Sequence, residues 1–271
     1  MASTITIEDA GADVPWFVMV HGMSQDHRVF DKQVEYFSSQ FRVLLIDLPG
    51  HGLAAGHGGP YGHLEFANHV HHAMREHNVS PAHYWGTHTG AAAGLLTAFR
   101  GPDRFSSLIL EGPVMPGQNI AVVISEMSRA RQIAASEGIA AAIQSWWENA
   151  CWFDTMRANP TECRAAQHYT IVSEFGGRPW TDQLPVAFLE DTTQGLSKLS
   201  VPTLIYNGAA DHPEFLVMAE RIAALIPNAR RSIVADAGGF PAWEQPDRTN
   251  KLVADFISAH QPPTNEARQT P

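Results

Sequence analysis

Cysteine and basic residues are scarce in this sequence, and it has no long apolar run. Its 271 residues include only two cysteines, which excludes a disulfide framework and is typical of a reducing compartment. The 18 Lys and Arg residues are outnumbered by 28 Asp and Glu, and they form no basic stripe of the kind that a nucleic-acid surface requires. No apolar run reaches the roughly 18 residues of a membrane span, and the first residues do not resemble a signal peptide. We therefore predict a cytoplasmic protein that acts on a small molecule and binds neither nucleic acid nor membrane.

Histidine, in contrast, is frequent, with 14 copies. His69, His71 and His72 cluster in a stretch whose helical pattern places the last two away from the apolar face. No constellation of Cys, Asp or Glu completes a metal site around them. We expect these histidines to be solvent-exposed, and we predict no metal and no cofactor.

Short apolar runs rich in β-branched residues alternate with helical patterns, which is typical of βα units and a mostly parallel sheet. After an edge strand in the opening stretch STITIED, the predicted strands are residues 16–22, 41–50, 82–88, 106–113, 202–211 and 230–239. The predicted helices are near residues 27–39, 62–78, 90–100, 215–226 and 246–260. Continuous apolar runs such as VLLI and LIL suit strands that are covered on both faces. The sequence thus predicts an α/β fold in which helices flank a central, mostly parallel sheet.

The regular spacing breaks once, where about ninety residues separate the fourth and fifth predicted parallel strands. This insert has a helical pattern and many aromatic residues, among them Trp146, Trp147 and Trp152. Such aromatics can form a core for the insert and also line a pocket for an apolar or planar ligand, and we expect most of them to be structural. The predicted division is a core of residues 1–113 and 198–260, a helical cap of residues 114–197 and a disordered tail of residues 261–271.

The stretch GTHTG, residues 86–90, follows an apolar strand and precedes an Ala-rich helix start. Flanking glycines permit a tight strand-to-helix turn in which the central residue, His88, points outward from a strained backbone. The first N–H groups of the following helix point to the same place. A second turn, VHGM, ends the first parallel strand. We predict that the backbone N–H groups of Met23 and Thr89 form an oxyanion hole there.

These motifs occur in a specific order, together with DLPGHG at residues 47–52, GAAD at 208–211 and DAGGFPAWEQP at 236–246. In them the chain resembles the α/β-hydrolase fold family, from about residue 14 to residue 258. The resemblance implies an eight-stranded, mostly parallel sheet, here without its first strand, and a helical cap inserted late in the sheet. It also implies a triad in the order nucleophile, acid, histidine.

Two of the three triad positions depart from the family pattern. The nucleophile position falls on His88, and the family's histidine, which stands in a GHF stretch before a proline, corresponds to Gly239 in GGFP. The acid position falls on Asp211, which is present. Because both the hydroxyl and its base are missing, a Ser-His-Asp mechanism is excluded.

An imidazole at this turn, beside two oxyanion donors, can instead act as a general base. Such a base needs an acid, and the candidates are Glu111, at the end of the neighbouring strand, and Asp211. We favour Glu111 for its proximity. The base would activate water to hydrolyse an ester, a lactone or a carbon–carbon bond, or it would deprotonate an acidic substrate in lyase or cofactor-free dioxygenase chemistry.

Two alternatives stay open. One is a catalytically inactive ligand-binding or receptor protein on a hydrolase scaffold, with which the loss of the family's histidine agrees. The other is that His88 only fills the turn. For an enzyme or a receptor alike, the sequence predicts a pocket for a small, apolar or aromatic ligand lined by His21, Trp146, Trp147, Trp152 and Trp243. His21 has a structural alternative, which is to stabilise its own turn, and a homodimer is a further possibility.

Overall fold

A seven-stranded sheet lies at the centre of the computed structural model, which describes residues 3–118, 120–182, 184–189 and 192–260. Its strands are β1 (Thr4–Ile7), β2 (Trp16–Val20), β3 (Arg42–Ile46), β4 (Ala82–Thr87), β5 (Phe105–Glu111), β6 (Thr203–Gly208) and β7 (Ala229–Val234). They lie in the order β1-β3-β2-β4-β5-β6-β7. The strand β1 is antiparallel to β3, with Thr4 opposite Ile46, and all other pairs are parallel. The predicted edge strand and mostly parallel sheet are confirmed.

Helices cover both faces of this sheet and fill the long insert. The α-helices are α1 (Asp31–Phe37), α2 (His63–Glu76), α3 (Thr89–Arg100), α4 (Ala121–Glu137), α5 (Ile139–Asn149), α6 (Asp154–Ala158), α7 (Ala165–Ser173), α8 (Arg178–Thr181), α9 (Thr193–Leu196), α10 (Pro213–Leu225), α11 (Pro241–Glu244) and α12 (Pro246–His260). Short 3-10 turns occur at His27–Phe30, Gly52–Ala54, Pro102–Arg104 and Cys151–Phe153. The five helices predicted for the core correspond to α1, α2, α3, α10 and α12. In the described residues, no helix is long and apolar enough to cross a membrane.

The central strands are buried over their whole length because apolar side chains project from both of their faces. Every residue of β2, β4 and β6 is buried, whereas the edge strand β7 exposes or half-exposes all but its last residue. Phe17, Trp85 and Tyr206 are among the largest fully buried side chains. Covering of continuous apolar strands on two faces is the arrangement expected for a parallel sheet between helices.

Strand ends differ from the sequence-based prediction in one consistent way. The predicted strands at 41–50, 202–211 and 230–239 run past their observed ends at Ile46, Gly208 and Val234. The stretches that follow those ends include Asp, Gly and Pro residues, which favour turns. Parallel strands all end at one edge of the sheet, and these loops therefore come together there with the turn at His88.

The insert between β5 and β6 contains the helices α4 to α9, which turns and loops such as residues 112–118 and 184–189 connect. Trp146, Trp152 and Trp180 pack together, with ring centroids 4.8 Å and 5.0 Å from Trp146. The insert thus holds an aromatic core of its own. The boundaries of the cap at residues 114 and 197 stay a prediction, and the tail at 261–271 lies outside the described residues.

Candidate functional site

His88 occupies the turn between β4 and α3 with a strained backbone, at φ +44° and ψ −103°. A non-glycine residue at positive φ is costly and is found where the surroundings hold it in place. Here the N–H of His88 donates to the Glu111 carbonyl at 2.8 Å, and its carbonyl accepts from the N–H of Ala92 at 3.0 Å. The chain is thus locked at the residue that the GTHTG pattern singled out.

Both glycines of the turn are required by close backbone contact. A Cβ atom at Gly86 would lie 2.5 Å from the carbonyl of Gly90, and one at Gly90 would lie 2.2 Å from the carbonyl of Val20. No larger residue fits at either position, since non-bonded carbon and oxygen atoms do not approach so closely. The strand-to-helix packing expected from the sequence is therefore present.

The imidazole of His88 is nearly buried, with 8% of the residue exposed. Its Nε2 lies 2.7 Å from the carbonyl oxygen of Gly239. A carbonyl only accepts hydrogen bonds, so Nε2 carries the proton and, in the neutral ring, Nδ1 is the unprotonated nitrogen. The rings of Phe215 and Phe240 pack edge-on at 5.1 Å and 4.9 Å. This environment fixes one tautomer and leaves Nδ1 without a hydrogen-bond partner among the described residues.

Burial lowers the pKa of His88, and the nearby charge of Asp211 and the Gly239 carbonyl oppose this effect. Asp211 is itself buried, and its carboxylate accepts from Asn207 Nδ2 at 2.7 Å and from the N–H of His212 at 2.8 Å. Burial raises the pKa of Asp211, while His88 and these hydrogen bonds lower it. Asp211 thus acts on His88 through its charge and not through a hydrogen bond.

Glu111 does not contact the His88 imidazole by a hydrogen bond, and this corrects our preference for Glu111 as its partner. Its Oε2 accepts from the Tyr206 hydroxyl at 2.9 Å and from the N–H of Ala242 at 2.7 Å. Burial raises the pKa of Glu111 to about 8, so its side chain is mostly protonated at neutral pH. It is the backbone carbonyl of Glu111, not the carboxyl, that bonds to His88. The carboxyl ties β6 to the loop before α11.

The Glu111→Gln variant is expected to lose less stability than the wild type as the pH rises. The folded chain keeps the Glu111 proton up to about pH 8, whereas the unfolded chain releases it near 4.5. The folded state therefore binds more protons in this window and loses stability as the pH rises through it. Glutamine keeps an oxygen acceptor and does not titrate. Between about pH 5.5 and pH 8, urea denaturation should show the variant losing roughly 1–3 kcal/mol less than the wild type. An equal pH dependence in the two proteins would contradict a protonated Glu111.

The predicted oxyanion donors, the N–H groups of Met23 and Thr89, both belong to residues that line the same cavity as His88. Thr89 is the first residue of α3, where N–H groups have no partner inside the helix. Neither N–H donates to another group in the part of the chain that the structure describes. The two residues are thus placed beside His88 with free donors, which is what an oxyanion site needs.

The cavity has a volume of about 670 Å³ and is mostly apolar. Its lining combines core residues around His88 with residues of the insert. Trp146 and Trp152 are among the lining residues. The other apolar and aromatic lining residues include Tyr61, Phe66, Val114, Ile120, Val123, Ile124, Met127, Val186, Phe188, Leu189, Phe215 and Phe240. This size and composition suit a small organic ligand.

Similarity to known proteins agrees with this geometry. A sequence profile of the alpha/beta hydrolase fold family matches residues 15–246. The chain belongs to the α/β-hydrolase fold family. It is 22% identical to 3-oxoadipate enol-lactonase 1 of Acinetobacter baylyi, over 95% of this chain and 94% of the relative. It is 25% identical to the pimeloyl-[acyl-carrier protein] methyl ester esterase of Methylococcus capsulatus, over 93% of this chain and 98% of the relative. The crystal structure of a hydrolase from Pseudomonas aeruginosa superposes with a TM-score of 0.80 at 21% identity, covering 94% of this chain and 93% of that one.

At Gly239, where the sequence resemblance places the family's histidine, the chain has no room for a side chain. A Cβ atom at Gly239 would lie 2.6 Å from both the Cβ and the carbonyl oxygen of Trp152. Trp152 belongs to the insert, and its backbone therefore occupies the space that a residue-239 side chain would need. The backbone carbonyl of Gly239 instead accepts a hydrogen bond from His88 Nε2.

Three residues predicted for the pocket lie elsewhere. His21 is fully buried, donates from Nδ1 to the Gly22 carbonyl at 2.7 Å and accepts the N–H of Leu48 at Nε2, so it stabilises its turn. Trp147 packs on Phe153, with ring centroids 4.7 Å apart, inside the insert.

Trp243 is the third residue that was predicted for the pocket and lies elsewhere. It stacks on His168 at 4.9 Å, and its Nε1 donates to the Cys163 carbonyl at 2.7 Å. Its ring lies under the guanidinium of Arg164. It therefore joins α11 to the insert and does not line the cavity.

Side-chain contacts between the Met23 loop and the insert were not foreseen from the sequence. Ser24, which has φ +62°, accepts from Trp146 Nε1 at 2.9 Å. Gln25 accepts from the N–H of Gly22 at 3.1 Å and donates to His168 at 2.8 Å. These buried contacts hold the loop that contains Met23 against the insert. Polar residues directly after the HG turn were the available signal, but their partners are more than 120 residues away in the chain.

A double-mutant cycle on Ser24→Ala and Trp146→Phe is expected to show a coupling of about 1 kcal/mol in the free energy of unfolding. The alanine leaves the buried Trp146 Nε1–H without its acceptor, and the phenylalanine removes the donor as well. Chemical denaturation of the four proteins measures the coupling. Additive effects of the two changes would show that this contact contributes nothing.

No metal-binding group stands out at this edge of the sheet. Among the residues that the structure describes, no set of three or more His, Cys, Asp or Glu side chains is placed to hold a metal ion. Of the clustered histidines, His72 is exposed and His71 half-exposed, as expected for surface positions. His69 is half-exposed as well, and burial lowers its pKa to about 4.

Proposed function

We propose that this α/β-hydrolase-fold protein is an enzyme in which His88 acts as a general base on a small, apolar or aromatic substrate. The observation that carries the proposal is the fixed tautomer of the ring. Nε2 is engaged by the Gly239 carbonyl at 2.7 Å, and the unprotonated Nδ1 belongs to a residue that lines the cavity. A base within reach of a bound substrate is the first requirement of general base catalysis.

In the hydrolytic form of the reaction, Nδ1 takes a proton from water while the water oxygen attacks the carbonyl carbon of an ester or lactone. The carbonyl electron pair moves to its oxygen, where the N–H groups of Met23 and Thr89 stabilise the negative charge. The intermediate then collapses, and the leaving alkoxide receives the proton from the imidazolium. The charge of Asp211, which raises the pKa of His88, stabilises the imidazolium between these steps.

The same base can instead take a proton from an acidic substrate, as in a lyase or a cofactor-free dioxygenase reaction. The oxyanion donors would then hold an enolate or phenolate oxygen. The names of the enol-lactonase and methyl ester esterase relatives support ester or lactone hydrolysis over this alternative. We therefore place hydrolysis first.

A ligand-binding protein without catalysis is the second candidate, and two observations favour it. His88 has no hydrogen bond to a carboxylate among the described residues, whereas catalytic histidines are usually oriented by one. The backbone of Trp152 also leaves no room for a second histidine at position 239. A cavity of about 670 Å³ would then serve binding alone.

Turnover and binding measured together decide between these candidates. Purified wild-type protein and a His88→Ala variant are assayed against p-nitrophenyl esters, aromatic lactones and hydroxy-aromatic compounds, with oxygen uptake followed in parallel. Hydrolysis or oxygen uptake that the variant lacks supports the base. Ligand binding without turnover in either protein would leave the receptor function, and turnover that persists in the variant would refute the role of His88.

A further inference from the structure

Arg131 stands out among the residues of the cavity wall. In the described part of the chain, it is the only Lys, Arg, Asp or Glu that lines the cavity. Two other lining residues that can carry charge, His63 and His88, have a pKa lowered by burial and are therefore neutral at pH 7. Among the described residues, the apolar wall thus contains a single permanent charge, which is positive.

Arg131 also differs from every other arginine of the insert. Arg164 pairs with Asp31 at 2.6 Å and Arg178 with Asp182 at 3.0 Å. Arg129 and Arg157 form ion pairs with Glu126 and Asp154. Arg131 has no ion pair with any residue in the described ranges.

The helix α4 places this charge at the end of an apolar stripe. Ile124, Met127, Ser128 and Arg131 follow one another at helical spacing and all line the cavity. A ligand whose apolar body lies against Ile124 and Met127 would therefore reach the guanidinium and the Ser128 hydroxyl with its far end. Because the protein has a net charge of −10, its overall field does not attract anions, and any preference for them must come from a local cation.

From these observations we infer that the cavity takes an organic monoanion, with an apolar or aromatic body along α4 and a carboxylate bound by Arg131. This names the substrate class of the proposed enzyme and rests on that proposal for its catalytic meaning. A carboxylate fits better than a doubly charged phosphate because one guanidinium supplies one charge and a planar, two-donor fork. Arg131 is thus assigned as a specificity-determining residue.

Binding of 4-phenylbutyrate and of its uncharged analogue 4-phenylbutyramide tests this assignment, with titration calorimetry as the readout. Wild-type protein is expected to bind the carboxylate about tenfold more tightly than the amide. Arg131→Gln should bind the two compounds equally. Arg129→Gln, on the same helix but paired with Glu126 and outside the cavity, is the matched control and should keep the tenfold preference.

The preference should also weaken between about 0.05 M and 0.5 M NaCl, since Arg131 is exposed and salt screens an exposed ion pair. Equal affinities in the wild type, no binding of either compound, or a preference that survives in Arg131→Gln would overturn the assignment. Binding to the His88→Ala variant tests the role of Arg131 separately from the proposed catalysis. A carboxylate preference that persists there shows that Arg131 acts in recognition whether or not His88 acts as a base.

Discussion

Replacing His88 by alanine is expected to lower kcat by about 100- to 10,000-fold, the range that removal of a positioned general base produces. The affinity for a cavity ligand should change by less than about threefold, because one ring of a large apolar wall contributes little to uniform binding. Rates and affinities are measured on the best substrate from the ester and lactone panel. A parallel loss of affinity would show that the variant has lost the cavity and not the base.

The pH dependence of the wild-type rate provides an independent check on this role. A general base works in its unprotonated form, and burial lowers the pKa of His88 from its ordinary value of 6.5. The rate should therefore be constant at neutral pH and fall only on the acidic side of 6.5. An acidic limb centred above 6.5 would be incompatible with His88 as the titrating base.

His63→Ala is the matched control for both measurements. His63 lines the same cavity, and burial lowers its pKa as well. It lies at the start of α2, however, and not at the turn beside the oxyanion donors. This variant should keep the wild-type kcat to within a few-fold and keep the acidic limb, so that any large effect is specific to the turn.

The sequence allowed the fold and the turn at His88 to be predicted because local constraints dictate both. Continuous apolar runs define strands that must be covered on two faces, and the close contacts of Gly86 and Gly90 leave the chain no other residue choice. The donors at Met23 and Thr89 follow from the ends of two parallel strands. The apolar runs and the glycine spacing of the turn are visible in the local sequence, although the carbonyl that excludes a Cβ at Gly90 belongs to Val20 on the neighbouring strand.

Side-chain directions could not be predicted in the same way. The Glu111 carboxyl turns away from His88 because its hydrogen-bond donors are Tyr206 and the N–H of Ala242, which are 95 and 131 residues distant. Trp147 and Trp243 face the packed interior of the insert for a similar reason, since their partners come from other helices. Phe215 and Phe240, which enclose the His88 ring, were missed as well, because nothing in their local sequence distinguishes them from core residues.

Introducing histidine at position 239 is expected to destabilise the protein and to restore no serine-type activity. The new Cβ would lie 2.6 Å from the Cβ and the carbonyl oxygen of Trp152, and backbone atoms cannot move aside as the end of a flexible side chain can. Overpacking of this kind typically costs about 1–3 kcal/mol, and more where backbone must shift. Thermal and urea denaturation of Gly239→His measure the loss.

Gly176→His provides the control, because a Cβ atom there meets no atom within 4 Å and the residue is exposed. It should unfold within about 0.5 kcal/mol of the wild type, as surface substitutions usually do. The double variant His88→Ser and Gly239→His supplies the two triad residues that the sequence resemblance implies at these positions, beside Asp211 at the position it implies for the acid. Its failure to hydrolyse p-nitrophenyl esters is expected, since the insert occupies the space beside residue 239. Hydrolysis at a rate above the background, in a stably folded double variant, would instead mean that the backbone of the insert shifts to accommodate the new side chain. The two substitutions alone would then separate this chain from a serine hydrolase.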